Sequence, residues 1–149
     1  TLEAVNKIEN FRYRILNNEV FIFDSISASA TVMREDKTFG FSYMEFDNSL
    51  SNFNYMAKKE IERIQKTTGL FTTEYPENLI HFSALPWLNF TSLSHARSFT
   101  WPDSCPKISF GKMLKEKDKK TMAISVHVHH GLMDGYHVGL FLTELQKIL

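Results

Sequence analysis

The stretch TMAISVHVHHGLMDGYHVGLFLTELQKIL, Thr121 to Leu149, limits the fold more than any other part of the chain, because its apolar period changes partway along. From Thr121 to His129 apolar side chains alternate. Met122, Ile124, Val126 and Val128 take one face, and Ala123, Ser125, His127 and His129 the other, as in a strand with one buried face. From Tyr136 onward, Val138, Phe141, Leu142, Leu145 and Leu149 share one side of a helix. A strand followed so closely by an amphipathic helix predicts a helix packed on a sheet.

The remaining chain supplies the partners. Leu2, Val5 and Ile8 recur at helical spacing with no initiator methionine and no N-cap before them. The chain is therefore expected to begin inside an element and to lack an N-terminal part. Phe11 to Ile15 alternates apolar and basic residues, and Val20 to Phe23 forms a second strand across an Asn17-Asn18 turn. Ala28 to Met33 and Thr38 to Phe46 read as another pair around the charged turn Arg34-Glu35-Asp36-Lys37. Phe53, Met56, Ala57, Ile61 and Ile64 share a helical face, with Ser51 or Asn52 as cap and Gly69 at the end. Leu79 to Ala84 reads as a buried strand, and Ser92 to Asp103, without a period, as a loop. Lys107 to Leu114 pairs with Thr121 to His129 through a solvated turn at Lys115 to Lys119. The expectation is one α+β domain over residues 1–149, a two-layer sandwich of a mixed, largely antiparallel sheet with packed helices.

Composition narrows the partners. Lys+Arg and Asp+Glu each number 17, so no charge excess points to nucleic acid or an anionic membrane. A single cysteine, Cys105, cannot close an internal disulfide, and a reducing, cytoplasmic setting is expected. No apolar run approaches the ~20 residues of a spanning helix, and no signal peptide is visible. The 13 phenylalanines suit either an aromatic core or a pocket for a flat apolar ligand.

His127, His129 and His130 concentrate half of the 6 histidines in one short segment. His127 and His129, at i and i+2, could share a metal with Asp134, although no HxxxH or cysteine pair accompanies them and no metal is expected. They could instead be core histidines bonded to backbone. The third possibility is a general base at a strand end, since imidazole titrates near neutral pH. Residue types alone leave these three open.

HHGLMDG, His129 to Gly135, fits the pattern HHxxxDG. In this the chain resembles the chloramphenicol acetyltransferase family of CoA-dependent acyltransferases, which shares the motif with the catalytic domain of dihydrolipoyl acyltransferases. GYHVGLFLTELQ and SALPWLNFTS (Ser83 to Ser92) are similar to the acetyltransferase branch. KISFGKM, TFGFS and GLF follow it more loosely, all in order along nearly the whole chain. The resemblance implies an O-acetyltransferase with acetyl-CoA as donor cosubstrate. It also implies a small alcohol acceptor, chloramphenicol or another, a role in antibiotic resistance, and a cytoplasmic homotrimer. By the same resemblance His130 is the general base, Ser83 binds the oxyanion, and Ser109 replaces a threonine that reaches that oxygen through water. Asp134 would pair with an arginine upstream of this chain's first residue. Phe39, Phe41, Phe71 and His95 would line the acceptor pocket, and Trp87 and Lys112 would meet CoA. Phe41 stands where a small residue is usual and His95 where leucine is usual, so a smaller, more polar pocket is expected. Alternatives are a weakly active or non-enzymatic trimeric module and a dihydrolipoyl acyltransferase-type core.

Overall fold

A computed structural model describes residues 1–95 and 103–149. The chain enters through helix α1 (Leu2–Lys7) and a 3₁₀ turn (Glu9–Arg12). A hairpin of β1 (Tyr13–Leu16) and β2 (Glu19–Ile22) follows. Its turn residues Asn17 and Asn18 have φ of 52° and 63°, the left-handed pair that a two-residue hairpin requires and asparagine tolerates.

The main sheet has five strands: β3 (Ser27–Met33), β4 (Phe39–Phe41), β5 (Leu79–Ala84), β6 (Lys107–Glu116) and β7 (Lys119–His127). Their order is β4-β3-β5-β6-β7. The edge pairs β3–β4 and β6–β7 are antiparallel, and the central pairs β3–β5 and β5–β6 are parallel. Parallel neighbours need a crossover. Between β3 and β5 this runs through β4 and helix α2 (Leu50–Gln65), and between β5 and β6 through residues 85–106.

Helix α3 (Gly135–Ile148) lies beside α1, and both cover one sheet face. Ala28, Ile80 and Ile108 of that face are buried with Ala4, Val5, Phe11, Phe141 and Leu145. Phe11 and Phe141 meet with ring centroids 5.0 Å apart. Both are fully buried, and truncating either to alanine should cost about 3–5 kcal/mol.

Because side chains alternate along a strand, the other face carries the residues between these. There Ser29, His81, Lys107 and His127 stand side by side across four strands, and Ser83, Ser109 and Ser125 across three. The apolar-polar alternation read from residues 121–129 thus extends across β3, β5, β6 and β7, whereas β4 puts Phe39 and Phe41 on the polar face.

Several boundaries differ from the sequence reading. β7 stops at His127, and the chain turns at His129 rather than continuing the strand through it. β4 is three residues long because at Ser42 the hydroxyl, not the carbonyl, accepts from Ala30 N (3.1 Å), although Ser42 N still donates to Ala30 O (2.9 Å). A lone bridge, Ala28 to Met44, follows. Helix α2 is capped by Ser49, not Ser51 or Asn52, and ends at Gln65 with Lys66 as its C-cap, and Gly69 (φ 85°) follows in the next turn. Of its apolar stripe only Ile64 is buried. The expected loop from Ser92 to Asp103 lies partly outside the described residues, as does most of the segment from Ser94 to Trp101. No helix among the described residues is long and apolar enough to cross a membrane.

Candidate active site

The histidine motif folds as a tight turn between β7 and α3. The carbonyl of His129 accepts from Leu132 N (2.9 Å) and Met133 N (3.2 Å). This drives Leu132 and Met133 into the core, and Asn10 donates to Leu132 O at 3.0 Å. Gly131 N donates to His129 Nδ1 at 3.2 Å, which places the ring proton on Nε2 and ties His129 into the turn. His130 is exposed, with no hydrogen-bond partner for its ring among the described residues.

Asp134 closes the motif as the N-cap of α3. Its Oδ1 accepts from Tyr136 N (3.0 Å) and His137 N (3.4 Å) and lies 2.7 Å from His137 Nδ1. The bond with His137 and these amides hold its carboxyl below the usual aspartate range. Its side-chain partner among the described residues is thus His137, whose Nδ1 also accepts from Asp134 N at 3.2 Å. The carboxylate supports the start of a helix, and no described contact joins it to His130.

The sheet face opposite α1 and α3 holds the serines. Ser109 is fully buried, its Oγ 3.1 Å from His95 Nε2. The His95 ring stands edge-on to His127, centroids 5.1 Å apart. His127 donates from Nε2 to Leu93 O at 3.0 Å. Desolvation, then the neighbouring His127 and Lys107, lower the His95 pKa, so its neutral form is favoured at neutral pH. Lys107 itself is tied to Asp103. Cys105, half-buried below, donates to Leu79 O at 3.1 Å, and burial pushes its thiol up to about 11. That thiol is a structural group, not a nucleophile.

The aromatic residues gather at the opposite edge. Phe39 and Phe41 of β4 meet at 6.1 Å, Phe41 and Phe71 at 5.3 Å, and Phe71 and Tyr75 at 6.3 Å. Phe71 is 70% exposed and Phe39 48%, an aromatic wall facing outward. Register ties this wall to the serines: Thr31 pairs with Phe41, and Ala30 pairs with Phe82. Phe41 is therefore level with Ser83 and on the same face.

The first residues of the 85–106 crossover fold back on β6. Leu85 N donates to Phe110 O (2.8 Å) and Lys112 N to Leu88 O (2.6 Å). The register of β6 slips between Phe110 and Met113 to admit them. A Cβ at Gly111 would stand 2.9 Å from Leu88 O, so only glycine leaves room. This contact brings exposed Trp87 and Lys112 to one bend.

A family model described as "Chloramphenicol acetyltransferase" matches residues 2–146. The chain belongs to the chloramphenicol acetyltransferase family. It is thereby placed among acyltransferases. It is 32% identical over 148 residues to a chloramphenicol acetyltransferase of Bacillus pumilus, covering 98% of this chain and 67% of that protein. Chloramphenicol acetyltransferase 3 of Escherichia coli is 33% identical over 149 residues, covering 98% and 70%. A solved chloramphenicol acetyltransferase superposes with a TM-score of 0.88 at 28% identity, over 99% of this chain and 73% of that one. A truncated catalytic core of the 2-oxoacid dehydrogenase multienzyme complex from Thermoplasma acidophilum shares the fold, at TM-score 0.73 and 12% identity, over 98% of this chain and 68% of that one.

Within this chloramphenicol acetyltransferase family member, one chain brings Phe39, Phe41 and Phe71 together, and Ser83, Ser109 and His95 together. It does not bring His130 to them. His130 follows β7, the last strand, whereas the aromatic wall begins at β4, the first. Four strand spacings separate these edges, about 19 Å. β7 also runs against β5, so His130 emerges at the end where β5 begins, while Ser83 lies toward the end where β5 finishes. As for metal, His127 and His129 spend a ring nitrogen each on protein partners. No group of three or more His, Cys, Asp or Glu among the described residues is arranged to hold an ion. Two contributors escaped the sequence reading. Tyr75, outside every element read from the sequence, donates to Phe41 O and backs Phe71. Arg34, read as part of a charged turn, is buried.

Proposed function

We propose that this protein transfers the acetyl group of acetyl-CoA to the hydroxyl of a small acceptor, chloramphenicol or a more polar alcohol, at a site shared between subunits. The observation that carries the reading is the placement of an exposed His130 at one sheet edge and an exposed aromatic wall, level with Ser83, at the other. A head-to-tail contact that closes by three-fold rotation lays one subunit's histidine turn against the next subunit's wall. Each such contact completes a site and covers apolar surface that one chain leaves bare.

In this reading the acceptor hydroxyl attacks the thioester carbonyl as His130 takes its proton. The carbonyl oxygen becomes an oxyanion that Ser83 stabilises, with Ser109 and His95 behind it. The intermediate collapses as the carbon–sulfur bond breaks, and the thiolate recovers the proton from His130. The products are an acetyl ester and CoA. His129 and Asp134 set the turn and the helix that aim His130. Exposed Trp87 and Lys112 suit contact with pantetheine and phosphate, and the neutral His95 suits an acceptor with a hydrogen-bonding group. Acetyl-CoA and a lone reduced thiol fit a cytoplasmic setting.

The test is acetyl-CoA consumption with and without chloramphenicol and other alcohols, alongside light scattering. Acceptor-dependent CoA release by a trimer supports the reading. A stable monomer that still acetylates defeats the shared site, and CoA release that ignores every alcohol defeats the transferase.

A further inference from the structure

We infer that Arg34 is the positioning residue of the acceptor wall, holding the two segments that carry Phe39 and Phe71 in one arrangement. The inference rests on the proposed role of that wall in binding the acceptor. Arg34 is 7% exposed and spends its guanidinium on neutral oxygens from three separate segments. Nε donates to Ile64 O at 2.9 Å, at the end of α2. Nη1 donates to Phe39 O (2.8 Å) and Thr38 Oγ1 (3.2 Å), at the start of β4. Nη2 donates to Gly69 O at 2.7 Å, in the turn that leads to Phe71.

The next bonds complete the frame. Phe41 N donates to Leu70 O at 3.1 Å, and Tyr75 donates to Phe41 O. Thus Phe39 and Phe71, distant in sequence, hang from one planar cation. The α2 carbonyl end favours a positive charge there. Asp36, in the same hairpin, is engaged by Thr38 N (2.9 Å) and Thr38 Oγ1 (2.7 Å) rather than by the guanidinium. A lysine could keep the charge, but not the fork that reaches three carbonyls at once. Space is matched to the fork as well. A Cβ on Gly40 would meet Arg34 Nη2 at 2.5 Å and Ile64 Cγ2 at 3.1 Å.

The test uses the whole chain with Arg34→Met and Arg34→Lys. Acceptor and acetyl-CoA are varied separately, and hydrogen–deuterium exchange is followed at residues 67–75 with β6 as internal reference. Arg34→Met should raise the acceptor KM roughly 10-fold and leave the acetyl-CoA KM within about twofold, with Arg34→Lys between it and the parent. Exchange at 67–75 should quicken while β6 stays as it was. A folded Arg34→Met with both KM values and the exchange pattern of the parent overturns the inference. So does a fall in kcat that follows the folded fraction with neither KM moved. Should Arg34→Met fail to fold, Arg34→Lys decides on the same two readouts. If the parent protein transfers acetyl to no alcohol, the transferase reading fails, and the exchange pattern alone decides whether Arg34 holds the wall.

Discussion

At the β7 edge of the sheet, the elements that carry His130 form one continuous segment from Lys119 to Leu149: a strand, a turn closed by His129 O and tied to Asn10, and a helix capped by Asp134. At the β4 edge the aromatic wall is assembled from the 34–41 hairpin, the end of α2 and the 69–75 turn, joined through Arg34 and Tyr75. One half of the proposed site is local in sequence and the other is not. A local turn can keep its shape when its surroundings change, whereas a wall held by long-range bonds loses it when one joint is cut.

The sharpest way to break this comparison is to separate the halves genetically. His130→Ala should lower kcat roughly 10²–10⁴-fold with the melting curve unchanged, as expected for loss of a general base at an exposed position. Mixed and reassembled with Ser83→Ala subunits, it should regain about a quarter of the parental activity, because about one contact in four then pairs an intact histidine with an intact serine. Mixtures no more active than their components would place both residues in one subunit's site. Ser83→Ala alone should slow turnover roughly 10²–10³-fold with little change in the acetyl-CoA KM. An unchanged kcat would return Ser83 to a plain half-buried hydroxyl.

Smaller effects compare the two edges directly. Tyr75→Phe removes one bond to the wall and should raise the acceptor KM a few-fold, seen by steady-state kinetics, without touching acetyl-CoA. At the other edge, Asp134→Ala removes the α3 cap and should lower the melting midpoint. The folded carboxyl is held below its ordinary value of 3.8. Its contribution is therefore present above that pH and lost as the pH falls through the depressed folded value. The gap in melting midpoint between parent and Asp134→Ala should be full at pH 7 and close in strong acid. A gap independent of pH would mean that the charge of Asp134 plays no part in the cap.

What could be read beforehand follows the same division. The strand-turn-helix of residues 121–149, the β1–β2 hairpin and β5 announce themselves by period and turn residues, which act over a few positions. The parallel pairing of β5 with both β3 and β6 has no such local signal, because it depends on which crossover the chain takes. The histidines were legible as a group, but their division of labour was not. That His127 bonds Leu93 O and His129 accepts from Gly131 N depends on where the crossover and the turn come to rest. Arg34 misled most. Beside Glu35, Asp36 and Lys37 it has the composition of a solvated tip, and the oxygens of Ile64, Gly69, Phe39 and Thr38 together make burial tolerable. Tyr75 and the pairing of His95 with Ser109 were hidden for the same reason.

The close approach of Arg34 to Gly40 also constrains how such a chain can change over generations. A methyl group at position 40 collides with the guanidinium while arginine is present, so Gly40→Ala arising first meets a steric barrier. If position 34 is shortened first, the same methyl meets only the milder contact with Ile64 Cγ2 at 3.1 Å. The two substitutions are therefore epistatic, and the double variant should be less impaired than the sum of the single ones. Drift across this hairpin has a preferred order, with position 34 yielding before position 40, and the intermediate on that path is a protein whose aromatic wall has lost its common anchor.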